Sequence, residues 1–434
     1  MISLKEFLQN EVKPALGCTE PGAVALAVAR ACQELPNRHE ISSVSVAVSD
    51  SIYKNGVAVG IPGVVGVKGN AVAAALAVFR GRAEYGLQVL KDTGPSDVER
   101  AVRWLRAGRV EIVRCPDRKG VYVKAAVSTP EHRVSCTIEG DHSRIVQVIK
   151  DEVVLLAQTK ERAVNGKDSS SIPAAMAGLS YAGLLGLVEG MDAEDVDYLM
   201  EGVRMNMAIA EYGSAGDFGI GLRGAMQGLL AEGKLEQGLS SRIRTACYAA
   251  TEARMAGAQL PVMSSAGSGN AGITAIIPVA IAGEEKGKSR REISESLAVS
   301  HLTTGFIRAR LGRLSPVCGC VVAAGSGAAA GLTHLFGGGW EQAAEAVKLV
   351  LANTAGMFCD GAKESCALKV GTAACEAYLA ALFAVAGRRI DHPQGVVGAS
   401  VEQTIENVAR INSEGMRDVD RVIIDILKSR DQPS

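Results

Sequence analysis

LSPVCGCVVAAGSG (residues 314–327) and MFCDGAKESC (residues 357–366) bracket the stretch on which the reading of this 434-residue chain turns. Cys318 and Cys320 share one short loop of glycine and small residues, and Cys359 and Cys366 share another. Such loops carry too little apolar surface to be ordinary core, while the Ala-rich segments around them have a helical period. Thiolates that converge from separate loops are what an iron–sulfur cluster requires. Spacing alone goes no further than a metal or reactive-thiol site. Cys-Gly-Cys is one residue shorter than a redox CxxC, and the sequence lacks the paired CxxC knuckles of a zinc site. Asp360 and Lys363 share the second loop, and a cation beside a cysteine lowers its pKa.

Working outward, residues 287–312, 340–355 and 367–386 read as helices around these loops. So do 173–189, 193–212, 219–232 and 239–257, and a last helix covers about 400–430. QLPVMSSAGSGNAG interrupts them with a polar loop from Ser264 to Asn270. That loop suits the offer of backbone N–H groups and hydroxyls to a small carboxylate, though a plain interhelical linker has the same look.

At the other end, residues 3–15 form an amphipathic helix with Leu4, Phe7, Leu8 and Val12 on one face. GCTEPGAVALAVARAC, residues 17–32, reads as a second helix with Thr19 as N-cap and Glu20–Pro21 in its first turn. Cys18 stands just before it, where the helix dipole favours a thiolate; taken alone, the segment reads rather as a buried small residue in a helix-turn-helix. From Ile41 the period changes to two. ISSVSVAVSDSIYKNGVAVGIPG alternates like strands, with Lys54-Asn55-Gly56 as a turn. The glycine-rich loop that follows has neither a P-loop nor a dinucleotide fingerprint. Residues 71–90 read as a helix and 109–149 as strands, with Cys115 and Cys136 packed as small hydrophobes. The expected fold class is α+β. N-terminal helices (1–39) lead to an inserted strand-containing domain (40–165), and a mostly helical Ala/Gly-rich domain (166–434) completes it.

Lys and Arg total 46 against 47 Asp and Glu, which removes any electrostatic case for nucleic acid or an anionic membrane surface. Aromatic residues make up 4% and glycines number 49, a composition shared by close-packed soluble helices and membrane helices. Ala271–Gly283 falls short of the about 20 residues that span hydrocarbon, and Val317–Phe336 is broken by Gly and Ser and holds His334. No membrane association is therefore expected. MISLKEFLQNEV does not read as a signal peptide, and ten cysteines are too dilute for a disulfide scaffold. Reduced thiols in the cytoplasm are the expectation.

KPALGCTEPGA (13–23), SSAGSGNAG (264–272), LSPVCGC (314–320) and CDGAKESCALK (359–369) together resemble the oxygen-sensitive bacterial and archaeal L-cysteine desulfidases. These are similar in turn to the catalytic alpha chain of iron–sulfur L-serine dehydratases. The resemblance runs over essentially the whole chain and includes KNGVAVGIPG (54–63). It implies a [4Fe–4S] cluster held by three cysteines, with one iron open to substrate. By motif, Cys18 and Cys359 carry over as ligands. The third comes from the CGC loop, where Cys318 is taken over Cys320, and Cys366 occupies a place like that of a dehydratase ligand. The dehydratase loop has a cysteine in its SAG segment where this chain has Ser268, and Cys18 then supplies the missing thiolate.

The implied reaction is β-elimination of L-cysteine to pyruvate, ammonia and hydrogen sulfide without pyridoxal phosphate. Lys363 is the candidate base or carboxylate clamp, with a solvated loop lysine as the alternative. Ser264, Ser265, Gly267 and Asn270 would hold the substrate carboxylate, Glu20 would orient its ammonium, and His301 reads as a satisfied buried histidine. A homodimer is implied by the same resemblance. An L-serine (or related β-substituted amino acid) ammonia-lyase and a non-catalytic iron–sulfur redox sensor are the rival readings.

Overall fold

The computed structural model describes residues 2–64, 66–158 and 172–430. Its fold class is α+β, with a six-stranded sheet and its covering helices in the first half of the chain and a second half that is helical but for one short strand. The expected domain boundary at 165/166 lies outside the described residues.

Eight strands occur among the described residues. They are β1 (Pro14–Leu16), β2 (Ser43–Val48), β3 (Val110–Arg114), β4 (Tyr122–Ser128), β5 (Arg133–Glu139), β6 (Ile145–Lys150), β7 (Val153–Ala157) and β8 (Pro261–Met263). Six form one sheet in the order β3-β2-β4-β5-β6-β7. Only β2 and β3 run parallel, because helices lie in the connection between them; the other neighbours are antiparallel. One face of the sheet is covered by the Thr19–Gln33 and Asn70–Arg80 helices. Val24, Val28, Val72 and Leu76 pack there on Val46, Val123, Val134 and Ile138, all essentially buried. The Thr19–Gln33 helix thus joins the sheet's core, whereas Leu4–Glu11 packs through Phe7 and Leu8 into the helical body.

The period-two run from Ile41 forms only one strand. Ser49 caps a helix over Asp50–Asn55, its Oγ accepting from the Ile52 N–H, so Lys54 and Asn55 end a helix and do not turn a hairpin. Both are buried. Residues 91–108, which carry no assignment from sequence, contain the helix Pro95–Arg106. The expected helix over 400–430 is two helices, Val401–Arg410 and Val419–Arg430, joined by a π-turn.

At the centre of the helical body runs the Gly319–Leu335 helix, with residues Val321–Thr333 all buried. Small residues let it approach its neighbours at backbone distance. A Cβ on Gly327 would lie 2.4 Å from the Ser300 carbonyl oxygen, and one on Gly331 would lie 2.6 Å from that of Ser296. Ser326 and Thr333 return their hydroxyls to carbonyls one turn back, so the polar groups of this apolar helix are satisfied. Cys366–Val385 is the one helix among the described residues long and apolar enough to cross a membrane. Half of it is buried in the protein, and its outer side exposes Leu368, Leu379, Leu382 and Phe383.

Gly272 shows how tightly β8 and the Gly269–Glu285 helix are joined. An added Cβ would sit 1.9 Å from the Met263 carbonyl oxygen. Gly272→Ala is expected to lose about 3 kcal/mol of stability, read as a lower urea midpoint, because backbone cannot yield as a side chain does.

Candidate active site

β1 pairs with β8, Pro14 opposite Met263 and Leu16 opposite Pro261. This ribbon ties the N-terminal segment to the start of the SSAGSG loop across about 250 residues of chain. Gly17, at φ 68°, turns the chain from β1 into the next helix, where a Cβ would strike the Pro62 ring. Cys18 is the N-cap of Thr19–Gln33, one residue earlier than the sequence pattern indicates.

The cysteine loops are stitched to each other through backbone. The Cys318 N–H donates to the Met357 carbonyl at 2.8 Å, and the Cys359 N–H donates to that of Pro316 at 2.6 Å. A polar chain then links Cys18 to Cys359. The Cys18 thiol donates to Glu20 Oε2 at 2.8 Å, Asn55 Nδ2 donates to Glu20 Oε1 at 2.8 Å, and the Cys359 thiol reaches Asn55 Oδ1 at 3.9 Å. Lys54, whose side chain is 1% exposed, donates to the Cys359 carbonyl at 2.8 Å and pairs with Asp420 at 2.5 Å. These contacts bound one part-open cavity of about 90 Å³. Cys18, Cys318, Cys320, Cys359 and Cys366 all line it.

The charge on its walls is lopsided. Lys54, Arg254, Arg308, Arg313 and Lys369 line the cavity, and Glu20 is its one carboxylate among the described residues. Arg254 holds the Gly17 carbonyl and Asn270 Oδ1, the latter at 2.8 Å, yet its buried Nε has no partner. Arg308 Nε is likewise unpartnered. Burial pushes the Arg308 pKa down, against the opposing pull of Cys320, Cys359 and Cys318. His142, from the turn after β5, is 3% exposed, and neither ring nitrogen has a partner. Burial holds its pKa below the ordinary histidine value, although Glu20 and Asp141 work in the other direction. Burial opposes ionisation of Glu20, but His142, the Cys18 thiol and the Asn55 amide together bring its carboxyl below the usual range.

Contrary to the helix-dipole expectation, the Cys18 thiol is pushed well up, by burial first and then by the Glu20 carboxylate. The dipole of one helix end is a small effect beside a nearby anion in a dry setting. Cys318 and Cys359 are also raised, the former chiefly by its hydrogen bond with Cys320 and the latter by burial.

Of the residues singled out from sequence, Cys18, Glu20, Gly267, Asn270, Cys318 and Cys359 meet on this cavity. Gly267 follows Ala266, which holds a φ of 46°, costly for a residue with a Cβ and found where a loop is held for a purpose. Ser264 instead donates to the Lys13 carbonyl at 2.7 Å, and Ser265 is fully buried against His301 Nδ1 at 2.9 Å. Neither lines the cavity. Burial pushes His301 down to about 3, the pattern of a structural histidine. Lys363 also lies outside the lining, its ammonium 2.7 Å from Asp360 and bonded to the carbonyls of Asp360 and Gly361. Lys54, Asn55, His142, Arg254, Arg308 and Lys369 escape the sequence reading.

Among the described residues, no three His, Cys, Asp or Glu side chains converge closely enough to chelate a single ion. Ligands of a polynuclear cluster stand around a cage and need no such approach. The donor set fits that larger group, with five free thiols on one cavity and buried guanidinium donors to offset thiolate charge.

Residues 84–425 match the family model described as serine dehydratase alpha chain. A relative from Kosmotoga olearia, named UPF0597 protein, is 43% identical over 430 residues, which is 99% of each chain. One of the same name from Nitratidesulfovibrio vulgaris (strain DP4) is 43% identical over 444 residues, covering 98% of this chain and 99% of its own. A third, from Caldanaerobacter subterraneus, is 40% identical over 427 residues, 98% of each.

Proposed function

The chain belongs to the serine dehydratase alpha-chain family, and from that membership we propose that it is a lyase converting L-cysteine to pyruvate, ammonia and hydrogen sulfide. The observation that carries the reading is the convergence of five thiols and five buried or half-buried cations on one cavity. In this proposal Cys18, Cys318 and Cys359 hold a [4Fe–4S] cluster, with Cys320 and Cys366 beside them. When bound, the cluster supplies a Lewis-acidic iron that stabilises the departing sulfur.

The rest falls to the protein's own groups. Arg254, Asn270 and the backbone at Gly267 take the substrate carboxylate, a cation and amide set suited to a planar anion. Glu20 takes the ammonium. His142, whose ring nitrogens have no partner and whose burial disfavours the protonated form, accepts the Cα proton as the C–S electron pair leaves with sulfur. Aminoacrylate then tautomerises to the imine, and water yields pyruvate and ammonia. Lys363, engaged with Asp360, holds the second cysteine loop in shape in this reading and does not touch substrate.

The family description favours a second reading on the same site, in which L-serine is the substrate and water the leaving group. Anaerobic assay of pyruvate release separates the two. Cysteine as the preferred substrate by kcat/KM upholds the proposal; preference for serine establishes the second reading, and no pyruvate from either removes both.

A further inference from the structure

A second concave site lies in the sheet-bearing half of the protein, away from the thiols. Arg38, His39, Phe79, Arg100, Trp104 and Arg109 line it, together with Arg103, and its volume is about 340 Å³. No carboxylate stands on its wall, and among the described residues none of the four arginines is in an ion pair. In a chain of net charge −1 that concentration is not a matter of average composition.

The guanidinium groups are held without being neutralised. Arg100 stacks 4.2 Å from the Phe79 ring centroid and Arg109 lies 5.4 Å from that of Trp104, while the two rings meet edge to face at 5.1 Å. Cation–π contacts fix position but leave the N–H donors free. Arg38 gives one donor to the Gly81 carbonyl at 2.9 Å and keeps the rest. Four cations facing one concavity repel one another, and a single carboxylate would offset only a fraction of that. Guanidinium forks match phosphoryl oxygens, and a cavity of this size admits a small molecule.

We propose that this pocket binds a small molecule bearing two phosphoryl groups. It stands by the C-terminal end of the Asn70–Arg80 helix, through Val78 and Phe79, and it shares no lining residue with the thiol cavity. The pocket is therefore distinct from the thiol cavity.

The sequence contains two tryptophans, so a Trp340→Phe variant of the full chain leaves Trp104 as the sole indole reporter. Titration with inorganic pyrophosphate should change its emission saturably, and Arg103→Gln or Arg109→Gln should each weaken binding roughly tenfold. Both arginines are exposed, so the variants should keep the parent's thermal melt. No saturable change by about 10 mM pyrophosphate, or a change matched by sodium chloride at equal ionic strength, overturns the proposal. So does citrate binding in place of pyrophosphate, or unaltered affinity in both variants.

Discussion

Cys359→Ser is expected to yield a colourless, inactive protein. Anaerobically purified wild type should be brown, with broad absorption that bleaches in air, and the variant should lack it. Loss of groups that merely support a metal ligand costs about 10- to 100-fold, so loss of a ligand should exceed about a hundredfold in pyruvate release. The substitution is mild for the fold. The Cys359 backbone keeps its bonds to Pro316 and Lys54, and its side chain gives up only a long contact to Asn55. An unchanged thermal melt of the cluster-free protein beside a lost chromophore would locate the effect at the metal. A colourless wild type with full activity, or a brown and active Cys359→Ser, would sink the cluster assignment.

His142→Asn should leave the chromophore intact and lower kcat by roughly 10²- to 10⁴-fold, the usual worth of a positioned base. The pH profile gives a second signature. Burial favours the neutral imidazole, so protonation waits until the pH is below the ordinary histidine value of 6.5. Activity lost as pH falls should therefore disappear along a limb lying below 6.5 in wild type. That limb should be missing from the residual activity of the variant. Undiminished kcat in His142→Asn would return the proton to another group.

Much of the site was legible because cysteine in a glycine loop is a poor core residue, whatever the fold. Cys18, Cys318 and Cys359 stand out for that reason, and the SSAGSG loop stands out because no packing could hold it. His142 could not be found in this way. It sits in Gly140–Ser143, within a stretch that reads as strand from the sequence, and only the arrangement of β5 beside the Thr19–Gln33 helix turns it toward Glu20. Lys54 and Asn55 were lost to periodicity. Asp50–Asn55 spans six residues, too few to show a helical repeat, and follows a strand whose alternation runs into it. Lys363 stands out in the sequence because a lysine beside two cysteines looks chemical, while its tie to Asp360 is a property of the folded loop.

Lys54 and Asp420 meet across 366 residues of chain, and their contact closes the wall behind Cys359. During synthesis a ribosome must therefore release almost the whole polypeptide before that wall exists. A cluster held by Cys18, Cys318 and Cys359, as proposed, would gain that wall only once the chain is nearly complete.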